Sequence, residues 1–513
     1  MEIWSYKLKY NILANLVELL LINAEKLHLT KPRDRIYFRN RLFTILNIQL
    51  NEYEYQYNLD SNLQLSEILE EIYNALPESQ RDIIAHTKEQ VLTRIIDQIL
   101  PPPSIIECTF RTIKTNKSLK DAVDWYYQFS KLTDYIKTNA IAKNKKWVSD
   151  TKYGTLEITI NLSKPEKDPK EIAKAKILVN NNYPKCLLCI ENEGYEGNGN
   201  SHPARHNHRM LKIPLSNKEY YFQYSPYLYY PEHSIVINPE HSDMVVNNEM
   251  LENFFAFVEN IPHYIIGSNT DIPIVGGSIL THDHYQAGNH IFPIEKASSK
   301  FEITSNKYSN LRIEYLHWPL STIKLTGNKI DLLNAFELVK DNWYNYANNE
   351  LDIIAHGVNN ERHNAITPIL RKISKDKYTL YLMLRNNRTS EQYPDGIFHP
   401  HIDLHHIKKE NIGLIEAMGL AILPGRLDSE LKEISYILLD NTAQISNSLV
   451  KHHDWINELK EKYKVFDKAN IHNILQNEVS LKFAKVLDDA GIFKQDNIGN
   501  SEAYKFINAI FNN

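Results

Sequence analysis

Apolar residues recur at i, i+3 and i+4 through the first ~145 positions, the spacing of amphipathic helices. YNILANLVELLLINAEKL (10–27), LSEILEEIYNAL (65–76) and EQVLTRIIDQIL (89–100) each carry it. Pro101–Pro103 ends the third stretch and marks a junction, because proline removes a helix donor and clashes with the preceding turn. SLKDAVDWYYQFSKLTDYIKT (118–138) returns to helical spacing. The period then changes. TLEITINLS (155–163) alternates as a strand does, and KPEKDPKEIAKAK (164–176) reads as a charged connector into a short helix. SIVINP (234–239) and YIIGSN (264–269) read as strands. Between them, NNEMLENFFAFVENIPHY (247–264) is a helix with Met250, Leu251, Phe254, Phe255 and Val258 on one face. Strands and helices alternate from 311 to 430, and the tail 431–513 is helical and polar. The pattern predicts an α+β protein with four parts: 1–150, 151–300, 301–430 and 431–513.

Composition narrows the class. At 513 residues and 42% hydrophobic, the chain can bury a large core, in about two to four domains. The net charge of −5 gives no reason to expect nucleic acid or an anionic membrane as partner. The basic stretch Lys143–Lys146 is short and reads as a solvated surface segment. The N-terminal MEIWSYKLKYNIL lacks the basic–apolar–small pattern of a signal peptide, and no apolar run reaches the ~18 residues of a membrane span. A cytoplasmic location is the expectation. Three cysteines make no disulfide framework: Cys108 stands alone and reads as a small buried apolar residue, whereas Cys186 and Cys189 form C-x-x-C.

Two stretches carry candidate chemistry. In GGSILTHDHYQAGNHIF (276–292), a glycine turn feeds His282-Asp283-His284-Tyr285-Gln286. If 282–290 is extended, His282, His284, Gln286, Gly288 and His290 share one face, and Tyr285 and Ala287 point into packing. The glycine turn can bring backbone N–H groups close to a phosphate. A dinuclear hydrolase of the H-x-H-x-D-H type loses its second metal site here, because Gln286 and Ala287 stand where that motif needs Asp and His. Cys186 and Cys189 have the spacing of zinc ligands, and without a second C-x-x-C the other two ligands must be histidines. His202, His206, His208, His233, His241, His282 and His290 are all candidates, and spacing alone does not choose.

CLLCIENEGYEG (186–197), HPARHNHR (202–209), INPEH (237–241), GGSILTHDHYQAG, FHPHIDLHHIKKENIGLIEAMGLAILPGRL (398–427) and TLEITINLSKPEKDPK together resemble galactose-1-phosphate uridylyltransferase, in its sub-class with a long N-terminal extension. The resemblance runs from about 100 to 430. It implies two histidine-triad-like antiparallel-sheet halves, flanked by a helical N-terminal extension and a helical tail. It also implies uridylyl transfer from UDP-glucose to galactose 1-phosphate by a ping-pong route. The family's His-Pro-His-x-Gln maps onto His282–Gln286, which makes His284 the nucleophile, Gln286 its catalytic partner and His282 a zinc ligand beside Cys186, Cys189 and His241. Aspartate replaces proline at position 283, which puts a charge beside the nucleophile.

Asn269, Gly277 and Ser278 fall where the family contacts the nucleotide, and Lys409 and Glu416 lie near a family segment that binds the phosphates and the sugar. Arg205 and Arg209 have the forked geometry that suits a pyrophosphate. His399, His401, His405 and His406 form a dense cluster left without a role. The partners implied are UDP-glucose, UDP-galactose and hexose 1-phosphates, and the family's habit of dimerising extends to an expected homodimer. Two other readings stay open: a phosphorylase or nucleotidyltransferase of the same superfamily, and a non-catalytic nucleotide-sugar binder.

Overall fold

The computed structural model describes residues 2–48, 63–163, 183–198, 202–276, 279–440 and 444–512. The charged connector 164–176, Gly277 and Ser278 lie outside the described residues. The chain is α+β. Thirteen strands occur among the described residues: β1 (Lys145–Thr151), β2 (Gly154–Asn161), β3 (Leu211–Leu215), β4 (Lys218–Tyr224), β5 (Ser234–Ile237), β6 (Ile265–Gly267), β7 (His284–Gly288), β8 (Ser299–Ile303), β9 (Arg312–Leu316), β10 (Thr322–Gly327), β11 (Asn364–Ser374), β12 (Lys377–Asn386) and β13 (Leu420–Pro424). The chain separates into two compact units. One comprises Met1–Ala142, Lys167–Ile213 and Glu219–Leu228; the other comprises Lys143–Glu166, Pro214–Lys218 and Tyr229–Asn513.

The first unit is helical because its sequence repeats an apolar stripe and supplies caps. Helices Leu65–Ala75 and Lys88–Asp97 bury Ile68, Leu69 and Ile72 and Val91, Ile95 and Ile96 in one core with Leu13, Val17 and Leu20 of the first helix. Thr87 caps the second of these: its hydroxyl accepts from Gln90 N, and Gln90 Oε1 accepts from Thr87 N. The proline junction behaves as expected. The helix ends at Asp97, and Pro103 opens the next at its first turn, where the missing N–H costs nothing. Cys108 departs from expectation. It lies on the exposed side of helix Pro103–Asn116, two residues from buried Ile106 and Phe110, so the helical period turns it to solvent. The loop 202–209 is tied to these helices: Asn207 Nδ2 donates to Thr133 O at 2.8 Å, and the Tyr126 hydroxyl donates to Arg209 O at 2.5 Å.

The second unit holds two sheets. The small one runs β1–β2–β13, with β13 parallel to β2 and β1 antiparallel. Eight strands of the large sheet belong to this unit, in the order β5–β7–β6–β11–β12–β10–β9–β8. Every pairing described among these eight is antiparallel. Strands from before and after position 300 join at β6–β11, where Gly267, Ile266 and Ile265 face Ile369, Leu370 and Arg371. Helix Asn248–Asn260 buries all five of its expected apolar positions, capped by Asn247, whose side chain accepts from Met250 N. The polar-looking tail is helical and also structural. Val479, Phe483 and Leu487 join Trp318, Leu420 and Trp455 in one core, and Trp147 Nε1 donates to Ser480 Oγ at 3.0 Å. Those apolar residues form one helical stripe, which a polar average over the tail conceals.

Candidate active site

The strand β7 lies between β5 and β6, antiparallel to both. His284 and Gln286 face Ile237 and Ile235 of β5, and Gln286 also faces Gly267 of β6. Strand alternation puts His284 and Gln286 on one side of the sheet. Tyr285 and Ala287 go to the other, fully buried, with the Tyr285 ring edge-on to Phe254. The approach to β7 is tightly packed. A side chain on Gly276 would meet the Thr270 hydroxyl at 2.2 Å, which is why glycine stands there. His290 leaves the strip: it lies beyond the end of β7, with Nε2 2.9 Å from a Glu157 carboxylate oxygen.

The two histidines of the motif have complementary hydrogen bonds. His282 Nε2 lies 2.8 Å from Asn238 O, and His284 Nδ1 lies 2.8 Å from His282 O. A carbonyl can only accept, so each of these nitrogens carries the proton. His282 thus presents its lone pair at Nδ1, and His284 presents its lone pair at Nε2. His284 is buried, and burial is the main cause that lowers its pKa to about 4, against the opposing pull of the His282 carbonyl. The imidazole is therefore neutral at physiological pH, the state in which it can attack.

Asp283 points away from this face. Its carboxylate accepts from Asn238 Nδ2 at 3.2 Å and from the Tyr285 hydroxyl at 3.4 Å, and burial raises its pKa. Asn238 thus holds both residues that precede His284. The sequence reading did not single out Asn238, although it sits in the quoted INPEH stretch. His233, one of the seven candidate ligands, is instead 3.2 Å from Gln286 Oε1 through Nε2.

The thiols of Cys186 and Cys189 lie 3.5 Å apart, and the His241 and His282 rings are 4.8 Å apart between centroids. Together these four are the group among the described residues that could hold a metal ion. Tetrahedral zinc with two thiolates and two imidazoles has ligand atoms roughly 3.3–3.8 Å apart, so the donor set and the 3.5 Å between the two thiols fit such an ion. Burial pushes the Cys189 thiol up to about 11, so a metal held there displaces a proton. Of the remaining candidates, His206 Nδ1 is 3.1 Å from the Thr93 hydroxyl, and His208 stacks on Tyr135 at 4.3 Å.

The other expected contacts divide. Arg209 is buried with its guanidinium spent. It donates to the carbonyls of Pro101, His206 and His208 and pairs with Asp97 at 2.7 Å. Arg205 is half-buried, with its guanidinium 5.3 Å from the Tyr135 ring centre. Asn269 is buried two residues beyond Gly267, the partner of Gln286; its Oδ1 accepts from Leu414 N at 2.9 Å. Glu416 is also buried. It accepts from Gly413 N and pairs with Lys408 at 2.6 Å, whereas Lys409 is exposed.

The four clustered histidines serve local structure. His399 lies between Pro400 O and Asn411, His401 bonds Ile397 O, His405 bonds Pro400 O, and His406 packs on Trp455.

Residues 29–243 match the family profile described as "Galactose-1-phosphate uridyl transferase, N-terminal domain", and residues 257–457 match its C-terminal domain. A galactose-1-phosphate uridylyltransferase of Clostridium perfringens is 44% identical over 98% of this chain and 100% of its own. The chain belongs to this family. One from Staphylococcus saprophyticus is 44% identical over 93% of this chain and 95% of its own, and one from Ligilactobacillus salivarius is 46% identical over 81% and 83%. Among solved structures, a yeast Ap4A phosphorylase is similar at 12% identity with a TM-score of 0.32, covering 58% of this chain and 89% of its own. That superposition is too loose to bear on the chemistry. Among the described residues no helix is long and apolar enough to cross a membrane.

Proposed function

We propose that this chain transfers uridylyl from UDP-glucose to galactose 1-phosphate through a covalent intermediate on His284. The observation that carries the reading is the hydrogen bond from His284 Nδ1 to the His282 carbonyl, which leaves Nε2 bare. In the first step Nε2 attacks the α-phosphorus, and the bond to the bridging oxygen breaks. Glucose 1-phosphate leaves with that electron pair. In the second step a phosphate oxygen of galactose 1-phosphate attacks the same phosphorus, the P–N bond breaks, and UDP-galactose leaves a neutral imidazole behind. The positive charge on the uridylylated ring is met by the His282 carbonyl, which keeps its bond to Nδ1–H throughout.

Gln286 donates an amide N–H to the phosphoryl oxygens. It has no proton to give a leaving group, which suits a phosphate leaving as a stable dianion. Asn269 keeps its amide nitrogen free of the Leu414 bond and is assigned a phosphate or ribose contact; Arg205 and Lys409 are assigned phosphate contacts. Gly277 and Ser278, outside the described residues, are assigned to the nucleotide on the family resemblance alone. Arg209 and Glu416 are assigned to structure, because their polar atoms are spent on neighbours. Cys186, Cys189, His241 and His282 would hold a zinc ion whose contribution is structural: it fixes His282, whose carbonyl sets the His284 tautomer.

The test is intact-protein mass after incubation with UDP-glucose alone, beside a His284→Ala control. The expected result is one uridylyl adduct on the wild type, absent in the control and discharged by galactose 1-phosphate. Turnover without any adduct would move the reading to direct transfer. Binding without turnover would make the chain a nucleotide-sugar binder, and preference for an adenine dinucleotide would make it a phosphorylase.

A further inference from the structure

His233 sits just before β5, 3% exposed, with its ring packed on Tyr230 at 4.6 Å and Tyr229 at 5.5 Å. Its Nε2 is 3.2 Å from Gln286 Oε1. Its Nδ1 is buried and has no partner among the described residues. That orphan decides the tautomer. A neutral imidazole has one N–H, and a buried N–H without an acceptor is costlier than a bare lone pair. The hydrogen is therefore on Nε2, directed at Gln286. Only the oxygen end of a carboxamide can accept it. The amide is thereby fixed with Oε1 toward His233 and its NH₂ turned away from it, on the β7 face that also carries His284.

We propose that His233 is a positioning residue that sets which end of the Gln286 amide meets the transferring phosphoryl group. The proposal rests on the uridylyl-transfer reading above. Flipped by half a turn, the same amide would present an oxygen to phosphoryl oxygens and repel what it now stabilises. His233 never touches the substrate. It acts by removing one of two nearly isosteric orientations of a side chain whose ends differ in sign. Burial lowers the pKa of His233 to about 4, which keeps it a single-N–H donor through the working range.

The measurement is the rate of adduct formation with UDP-glucose, together with kcat and KM, in a cycle of His233→Phe, Gln286→Ala and the double variant. Phe keeps the ring and removes the donor. The expected loss in His233→Phe is about three- to tenfold in the uridylylation rate and kcat, the factor of one neutral hydrogen bond, with KM for UDP-glucose within about twofold. His233→Gln, whose amide can reach the same acceptor, should recover most of that loss. In the Gln286→Ala background His233→Phe should cost nothing further, because the group it acts through is gone.

A His233→Phe rate equal to wild type would overturn the proposal. So would losses that multiply in the double variant, or a loss that His233→Gln fails to recover. Should the Phe variant not fold, His233→Met enters the same cycle with the same outcomes. A wild type that forms no adduct would remove the transfer reading itself and this proposal with it. That result is distinct from a competent wild type indifferent to position 233.

Discussion

Arg209 separates two readings of one side chain. The sequence places it among the pyrophosphate contacts, whereas the structure surrounds it with protein acceptors. Its Nε donates to Pro101 O at 2.8 Å, Nη1 donates to His206 O and His208 O at 2.7 and 2.8 Å, and Nη2 pairs with Asp97 at 2.7 Å. The Arg209 side chain is 7% exposed and that of Asp97 29%. Replacing Arg209 with leucine orphans three carbonyls and a partly buried carboxylate. Water reaches Asp97 and recovers part of that loss; the carbonyls recover less. Breaking one buried ion pair costs about 3–5 kcal/mol, and the exposure of Asp97 puts this case near the lower end, about 3 kcal/mol. Arg209→Lys keeps the charge but not the fork, and should lose about half as much. Urea unfolding followed by circular dichroism reads the stability, and initial rates at low temperature read KM for UDP-glucose on the folded fraction. The structural account predicts a lower midpoint with unchanged KM. A wild-type midpoint with KM raised tenfold or more would refute it and return Arg209 to the substrate.

Further outcomes follow from the buried histidines and the thiolate cluster. Burial, then the neighbouring His452, lowers the His406 pKa to about 3. Between that value and the unfolded ~6.5, the unfolded chain binds more protons, so the His406 contribution is whole above ~6.5 and falls as pH drops. By pH 5 it should have lost about 2 kcal/mol, and His406→Phe should flatten the acid limb of the stability curve by that amount. A variant with the wild-type slope would show that His406 becomes protonated without cost in the folded state. Metal analysis of the purified protein should find about one zinc per chain. Cys186→Ser should reduce that content and the unfolding temperature together; full zinc content in the variant would place the ion elsewhere.

Much of this was legible from residue order. The helices at 65–75, 88–97 and 248–260 follow from apolar spacing with Thr87 and Asn247 as caps, because helix formation is governed by residues three or four apart. The strand at β7 and the sharing of one face by His284 and Gln286 follow from its period of two. The four candidate ligand residues needed more than spacing, since seven histidines qualified, and only the resemblance to the family's motif selected His241 and His282.

Tertiary structure alone decided the rest. It sent Asp283 to Asn238 and Tyr285, locked Arg209 onto Pro101 and Asp97, turned Cys108 to solvent and drew the tail's Phe483 into the core with Trp318. It also gave His233 to Gln286 across 53 residues of chain. Local pattern fixes which way a side chain leaves its own element. What it meets there depends on a distant segment, and neither hydrogen-bond partners nor burial is a property of neighbours in sequence.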